Sequence, residues 1–178
     1  MHMGRAIVVF DGDCGLCNGF VAWLLRHDRD GRLLIAGSGG TVGRAVLEAS
    51  GLGHGIAASS IVVWRGGIGE ARTDALASIA RDLPWPWRAA GALRIVPRAV
   101  RDAAYDAVAR RRPRRTAEDP ACGTPPADLV TLWRSRLATE EDVAALASTH
   151  AAAESPRRDA GRRHPRRSGE GAADVSTG

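Results

Sequence analysis

The sequence predicts an α/β fold in which helices cover a mixed β-sheet, with the element order β-α-β-α-β-β-α and extra C-terminal helices. Three observations predict it. Short, mainly apolar runs at 6–10, 32–35 and 61–64 have the length of buried strands, and the first is rich in β-branched residues. Segments of helical periodicity separate these runs. The third run is followed by Gly66-Gly67 and a short extended segment at 68–71, the pattern of a β-hairpin.

Helices are predicted from apolar spacing and from residues that start or stop a helix. The first follows Cys14 and Cys17, and Gly31 closes it. Its predicted inner face is Phe20, Trp23, Leu24 and His27. The second covers 41–50 with Thr41 as N-cap, and the third begins at Thr73. The predicted inner face of the second helix is Val42, Ala45, Val46 and Ala49.

Further helices are predicted in the second half of the chain. Pro97 is a favourable first residue for one of them. Trp133 and Leu137 have helical spacing, and 139-TEED-142 resembles a capping box. We therefore predict one α/β domain over 4–126, a helical extension over 127–150 and a disordered basic tail over 151–178.

The charge of the chain does not indicate nucleic-acid binding. All 25 basic residues of the 178 are arginine, as expected from a GC-rich genome, and the formal net charge is +5. The arginine runs at 110–115 and 157–167 have no interleaved aromatic residues that could stack on bases. Nucleic acid is therefore not an expected partner.

The expected location is the cytoplasm. The chain contains no run approaching the roughly 20 apolar residues of a membrane span, and its first residues do not resemble a secretory signal. In a reducing compartment, two close cysteines are more often redox-active or metal-binding than a permanent disulfide.

The chemistry of the sequence is concentrated at 11-DGDCGLCN-18, where the first predicted strand meets the first predicted helix. Two of the three cysteines lie here, one helical turn apart. At a helix start, Cys14 faces unpaired backbone N–H groups and the positive end of the helix dipole, which stabilise a thiolate. We expect an exposed pair in which Cys14 attacks a disulfide and Cys17 resolves the mixed intermediate.

The aspartates beside the pair allow two interpretations. Asp11 is a candidate to accept a proton from Cys17 during resolution. Alternatively, Asp11 and Asp13 serve only to shape the turn between strand and helix. We predict Cys14, Cys17 and Asp11 as the site residues.

Three other functions fit parts of the pattern. A strand followed by Asp11 and Asp13 is also found in haloacid-dehalogenase-like phosphatases, although the cation and the Mg²⁺ carboxylates of such a site are not evident. A structural metal site would need Cys14, Cys17, Cys122 and a fourth ligand. A non-catalytic interaction module would keep the cysteines as a redox-sensitive switch.

The motif 11-DGDCGLCN-18 resembles the signature of the DCC family of thiol-disulfide oxidoreductases. The similarity continues through 74-DALASIA-80, 94-RIVPRAVRDAAYDAVAR-110 and 122-CGTP-125. It implies a thioredoxin-like fold and identifies Asp11, Cys14 and Cys17 as the motif positions. One departure is that 57-AASSI-61 lacks the proline that thioredoxin-like enzymes carry before the third strand.

Together these observations predict a protein thiol-disulfide oxidoreductase. Its electrons would reside in the cysteines, so no organic cofactor and no metal is expected. The expected partners are a protein or small-molecule disulfide and a cellular thiol reductant or oxidant.

Overall fold

A four-stranded mixed sheet forms the centre of the protein. The computed structural model describes residues 5–111 and 125–154. The strands are β1 (Ala6–Phe10), β2 (Leu33–Gly37), β3 (Val62–Arg65) and β4 (Ile68–Ala71). Their spatial order is β2-β1-β3-β4. β1 and β2 are parallel, whereas β3 is antiparallel to both β1 and β4.

Helices follow the strands in the predicted order. The α-helices in the described residues are α1 (Gly15–His27), α2 (Thr41–Ala49), α3 (Arg72–Asp82), α4 (Arg98–Arg110), α5 (Val130–Ser135) and α6 (Glu140–Glu154). Short 3₁₀ segments lie at His54–Ala58, Trp87–Ile95 and Ala127–Leu129. The order β1-α1-β2-α2-β3-β4-α3 and the mixed sheet form a thioredoxin-like α/β fold, so the predicted fold class is confirmed.

Both faces of the sheet are covered, which explains why β1 is apolar at every position. Ile7 and Val9 face a cluster that includes Val46 and Leu47 of α2. The alternate residues of β1 face a second cluster, built with α1 and α3, whose helical members include Leu24, Ala75 and Ile79. The parallel β1-α1-β2 unit thereby places the start of α1 at the carboxyl end of β1.

The predictions of Thr41 and Thr73 as helix N-caps were wrong. Gly40, rather than Thr41, is the N-cap of α2. Thr73 lies inside α3, and its hydroxyl donates to Asp102 of α4 at 2.6 Å instead of capping its own helix. Thr73 is a good cap in isolation, and its contact with α4 takes the hydroxyl that would have capped α3.

The inner face of α2 also differs from the prediction. Val46 is buried as predicted, but its buried neighbours are Gly43 and Leu47, while Ala45 and Ala49 are exposed. The close approach of α2 to β2 explains this rotation. A Cβ atom on Gly43 would lie 2.1 Å from the carbonyl oxygen of Gly37.

The segment after residue 125 packs on the sheet edge. The Ile35 N–H donates to Arg136 O at 2.8 Å, and the Ala138 N–H donates to Ile35 O at 2.9 Å. The Arg136 guanidinium also lies 3.3 Å from the buried carboxylate of Asp28. These contacts hold α5 beside the carboxyl end of β1.

The capping box predicted before α6 is confirmed. Thr139 N–H donates to the Asp142 carboxylate at 2.9 Å, and Asp142 N–H donates to the Thr139 hydroxyl at 3.2 Å. The helix continues to Glu154, four residues into the segment predicted as a basic tail. The remainder of that segment, 155–178, lies outside the described residues, as does Cys122.

Within the part of the chain that the structure describes, no helix combines the length and apolar character needed to cross a lipid bilayer.

Candidate thiol site at the start of the first helix

The turn between β1 and α1 is held by its own polar groups. The Asp13 N–H donates to the Asp11 carboxylate at 3.0 Å, and the Cys14 N–H donates to Asp11 O at 3.2 Å. The Asn18 side-chain amide donates to Gly12 O at 2.7 Å. The Asp11 carboxylate therefore shapes this turn, which is one of the two interpretations of the sequence.

Asn18 is a positioning residue that the sequence analysis did not single out. Its signal was its place in the motif, one turn after Cys14, where a side-chain amide can reach back to the turn. Its backbone N–H donates to Cys14 O at 3.0 Å, so Asn18 is bonded to the turn through both backbone and side chain.

Cys14 is the N-cap of α1. Its backbone is extended, with φ −98° and ψ 111°, and its sulfur accepts the Cys17 N–H at 3.4 Å. A sulfur here takes the place that a serine or aspartate oxygen usually occupies at a helix start. The unpaired N–H groups and the dipole of α1 favour negative charge at this position.

Both cysteines are buried thiols, which corrects the expectation of an exposed pair. The exposed fraction is 4% for Cys14 and 3% for Cys17. They belong to a cluster with Phe10, Leu129 and Trp133, and the rings of Phe10 and Trp133 meet edge to face at 5.8 Å. Leu129 and Trp133 come from the segment at 125–138, so residues more than 100 positions away in sequence contribute to the cluster around the cysteines.

A cavity of about 420 Å³ lies on the Cys17 side of the pair. Leu16, Cys17 and Phe20 of α1 form one wall. The other walls come from α3, α4 and the 3₁₀ segment at Trp87–Ile95, and they are mainly apolar. Cys17 is thus the cysteine that borders open space, whereas Cys14 caps the helix.

Polar contacts join α3 and α4 where they border the cavity. Arg101 is buried, and its guanidinium donates to Asp74 at 2.9 Å and to the Thr73 hydroxyl at 3.1 Å. The Tyr105 hydroxyl accepts the Ile61 N–H at 3.1 Å. The Thr73 hydroxyl and then Arg98 hold the pKa of Asp102 below its ordinary value.

The two aspartates of α4 are paired with arginine side chains. Asp102 lies 3.4 Å from Arg98, and Asp106 lies 3.7 Å from Arg72. Within residues 5–111 and 125–154, no three His, Cys, Asp or Glu side chains are grouped so that they could hold a metal ion. The third cysteine of the proposed metal site, Cys122, lies outside these residues.

Comparison with known proteins identifies relatives of similar sequence. The Bacillus subtilis protein YuxK, named as uncharacterized, is 32% identical over 106 residues, which cover 60% of this chain and 77% of YuxK. A chloroplastic DCC family protein of Arabidopsis thaliana is 34% identical over 110 residues, covering 61% of this chain and 63% of that protein. No solved structure is significantly similar.

The family comparison agrees with the motif. The sequence profile of the DCC1-like thiol-disulfide oxidoreductases matches residues 8–118. This match includes the turn, both cysteines, the whole sheet from Val8 onward and α4. With 111 of the 178 residues matched, the chain belongs to the DCC1-like thiol-disulfide oxidoreductase family.

Proposed function

We propose that the protein catalyses dithiol–disulfide exchange through Cys14 and Cys17. The observation that carries the proposal is the hydrogen bond from the Cys17 N–H to the Cys14 sulfur at the N-terminus of α1. A backbone N–H donor and a helix N-terminus are surroundings that favour a thiolate, which is the nucleophile in thiol–disulfide exchange. Family membership supports the same chemistry.

The proposed reaction transfers two electrons in two exchange steps. The Cys14 thiolate attacks one sulfur of a substrate disulfide, so that a mixed disulfide forms and a substrate thiolate leaves. The Cys17 thiolate then attacks the Cys14 sulfur, which forms the Cys14–Cys17 disulfide and releases the second substrate thiolate. We assign Asp11 as the acceptor of the Cys17 proton. The released thiolates take up two protons, and a cellular thiol restores the dithiol.

Burial of the pair sets a requirement on this reaction. A buried sulfur cannot align with a bulky protein disulfide until the side chains over it move. Leu129 and Trp133 pack in the same buried cluster as both cysteines, and Cys17 also borders the cavity. We therefore propose that Cys14 reacts with protein disulfides only when α5 is displaced, and that small disulfides reach the pair from the cavity.

Insulin reduction with dithiothreitol as electron donor tests the proposal. The wild-type protein should accelerate insulin precipitation, and Cys14→Ser and Cys17→Ser should each abolish the acceleration. Cys122→Ser is the matched control, because it removes a thiol that the mechanism does not use. Wild-type protein without any acceleration of insulin or of a small disulfide would contradict the proposal.

A second candidate function follows from the same burial. Two buried thiols that share a cluster with Trp133 of α5 are compatible with a redox-sensitive interaction module. In such a module, oxidation of the thiols changes the surface presented to a partner. This candidate predicts a disulfide that forms stoichiometrically with no turnover. The insulin assay distinguishes the enzyme from the interaction module, because only an enzyme reduces many insulin disulfides per protein molecule.

We propose the cytoplasm as the compartment, because a dithiol that must be regenerated by a thiol donor requires a reducing environment. The proposed partners are a disulfide substrate and a cellular thiol, and neither a nucleic acid nor a metal takes part.

A further inference from the structure

The cavity beside Cys17 has the dimensions of a small-molecule site. Its volume of about 420 Å³ falls within the range of about 300–1,000 Å³ that ligand pockets occupy. Leu16, Phe20, Leu76 and Val108 supply apolar walls from three helices, α1, α3 and α4. Leu16 and Val108 are 48% and 58% exposed, so the apolar surface continues to the rim.

The polar groups at the cavity wall already have protein partners. The Arg101 guanidinium is neutralised by Asp74 and donates to Thr73. The Tyr105 hydroxyl accepts a backbone N–H from Ile61. A charged or strongly polar ligand would lose its water here without gaining a partner, so the walls favour an uncharged hydrocarbon body.

The rest of the chain does not supply such a body. Outside the described residues, 112–124 reads RPRRTAEDPACGT and contains no large apolar residue. In 155–178, Val175 is the largest aliphatic residue among arginine, glycine and serine. A protein disulfide would press backbone polar groups against apolar walls, at a cost in desolvation. A compact organic molecule fits the cavity better than either.

We infer that this cavity binds the hydrocarbon part of a small apolar disulfide and holds its sulfurs beside Cys17, the member of the pair that borders it. The inference rests on the proposed dithiol–disulfide exchange and names the substrate class. The electron balance is that of the exchange: the dithiol loses two electrons and two protons as its disulfide forms. The bound R–S–S–R gains both and leaves as two R–SH molecules.

Alkyl methanethiosulfonates of increasing chain length test the cavity directly. In a Cys14→Ser/Cys122→Ser protein, Cys17 is the sole cysteine. Its thiolate attacks the divalent sulfur, the new S–S bond carries the alkyl group, and methanesulfinate leaves with the electron pair of the broken bond. The proton of the thiol passes to solvent. The labelling rate is measured by mass spectrometry and divided by the rate with 2-mercaptoethanol.

We expect this normalised rate to rise with chain length, by up to about fourfold for each methylene that enters the cavity. The hexyl reagent should label Cys17 at least about tenfold faster than the methyl reagent. The charged sulfonatoethyl reagent should show no such gain. Equal normalised rates for methyl and hexyl would overturn the inference, as would failure of every reagent to label Cys17.

Two neighbouring alanines of α4 provide a matched pair of variants. Both are exposed on α4, but Ala104 lines the cavity and Ala103 does not. Ala104→Trp should fill the cavity and abolish the chain-length effect, while Ala103→Trp should retain it. Val108→Trp is a second filling variant if Ala104→Trp does not fold. Identical behaviour of the Ala103 and Ala104 variants would overturn the inference.

The labelling series tests the cavity and the insulin assay tests the exchange activity, so either result can be negative while the other is positive. A chain-length effect in a protein without turnover would preserve the cavity and reject the exchange activity. Turnover with insulin but no chain-length effect would preserve the activity and reject the apolar substrate. A chain-length effect that disappears as protein concentration rises would assign the cavity to a second copy of this chain, and would also reject the inference.

Discussion

At the scale of single residues, Asp11 combines a structural contact with a proposed chemical role. Its carboxylate accepts the Asp13 N–H in the turn that leads to Cys14. An asparagine keeps an oxygen acceptor for that N–H but cannot accept a proton as a carboxylate does. Substitution at Asp11 can therefore separate the two roles.

We expect Asp11→Asn to unfold with a free energy within about 0.5 kcal/mol of the wild type, and Asp11→Ala to lose about 1 kcal/mol with the hydrogen bond. If Asp11 accepts the Cys17 proton, Asp11→Asn should still slow resolution by about tenfold to a hundredfold. Urea denaturation and single-turnover trapping of the mixed disulfide measure the two effects. A normal resolution rate in Asp11→Asn would mean that Asp11 does not accept the Cys17 proton and only stabilises the turn.

At the scale of elements, we propose that the packing of α5 controls access to Cys14. Trp133 contacts Phe10 edge to face and is 7% exposed. Removing a buried indole leaves a void and typically costs about 3–5 kcal/mol. The same void would give solvent a path to the Cys14 sulfur.

We expect Trp133→Ala to increase iodoacetamide alkylation of Cys14 under native conditions, beyond what its lower stability explains. Leu47→Ala is the matched control, because Leu47 is buried against the opposite face of the sheet and its loss should cost about 2–5 kcal/mol. Peptide mapping after brief labelling reports the Cys14 rate. Equal acceleration in both variants would mean that global unfolding, not α5, exposes Cys14.

The junction of α2 with β2 offers a second test at this scale. Gly43→Ala would place a methyl group 2.1 Å from Gly37 O, so α2 must move away from the sheet. Gly19→Ala is its counterpart in α1, where nothing lies within 4 Å of the added Cβ. Thermal unfolding should show Gly43→Ala destabilised by about 1–3 kcal/mol. Gly19→Ala should be stabilised by up to about 1 kcal/mol through helix propensity. Stabilisation of both would contradict the close approach of α2 and β2.

At the scale of the whole molecule, α3 and α4 are joined by contacts around Asp102. The Thr73 hydroxyl, followed by Arg98, lowers the pKa of Asp102 in the folded protein. Around the ordinary aspartate pKa of about 3.9, the unfolded chain thus binds more protons at this group than the folded chain does. The stability that Asp102 contributes is therefore present at neutral pH and lost as the pH falls through its folded pKa.

We expect Asp102→Asn to lower stability at pH 7 and to flatten the loss of stability below about pH 4. Urea unfolding at several pH values measures both changes. Asp106→Asn on the same helix is the control, with its carboxylate 3.7 Å from Arg72 and 37% exposed, and we expect a smaller effect from it. An unchanged acid slope in Asp102→Asn would show that other groups carry the pH dependence.

The predictions from sequence succeeded where neighbouring residues carry the information. The run AIVVF is apolar at every position because both faces of β1 are covered. The segment IGEA follows two glycines that form a tight turn, so it pairs with the strand before it. They failed where distant contacts compete with local preference. Thr73 is a good helix cap by itself, yet its hydroxyl donates a hydrogen bond to Asp102, which lies 29 residues away in the sequence.

The sequence by itself determined that a strand, a Cys-x-x-Cys pair and a helix follow one another, and that Cys14 lies at the helix start. That arrangement depends on residues within about one turn of each other. Only the tertiary structure decided that both thiols are buried, that Leu129 and Trp133 join their cluster, and that Cys17 borders an apolar cavity. Those features arise where segments distant in sequence pack together, and local periodicity carries no information about which distant side chains will meet.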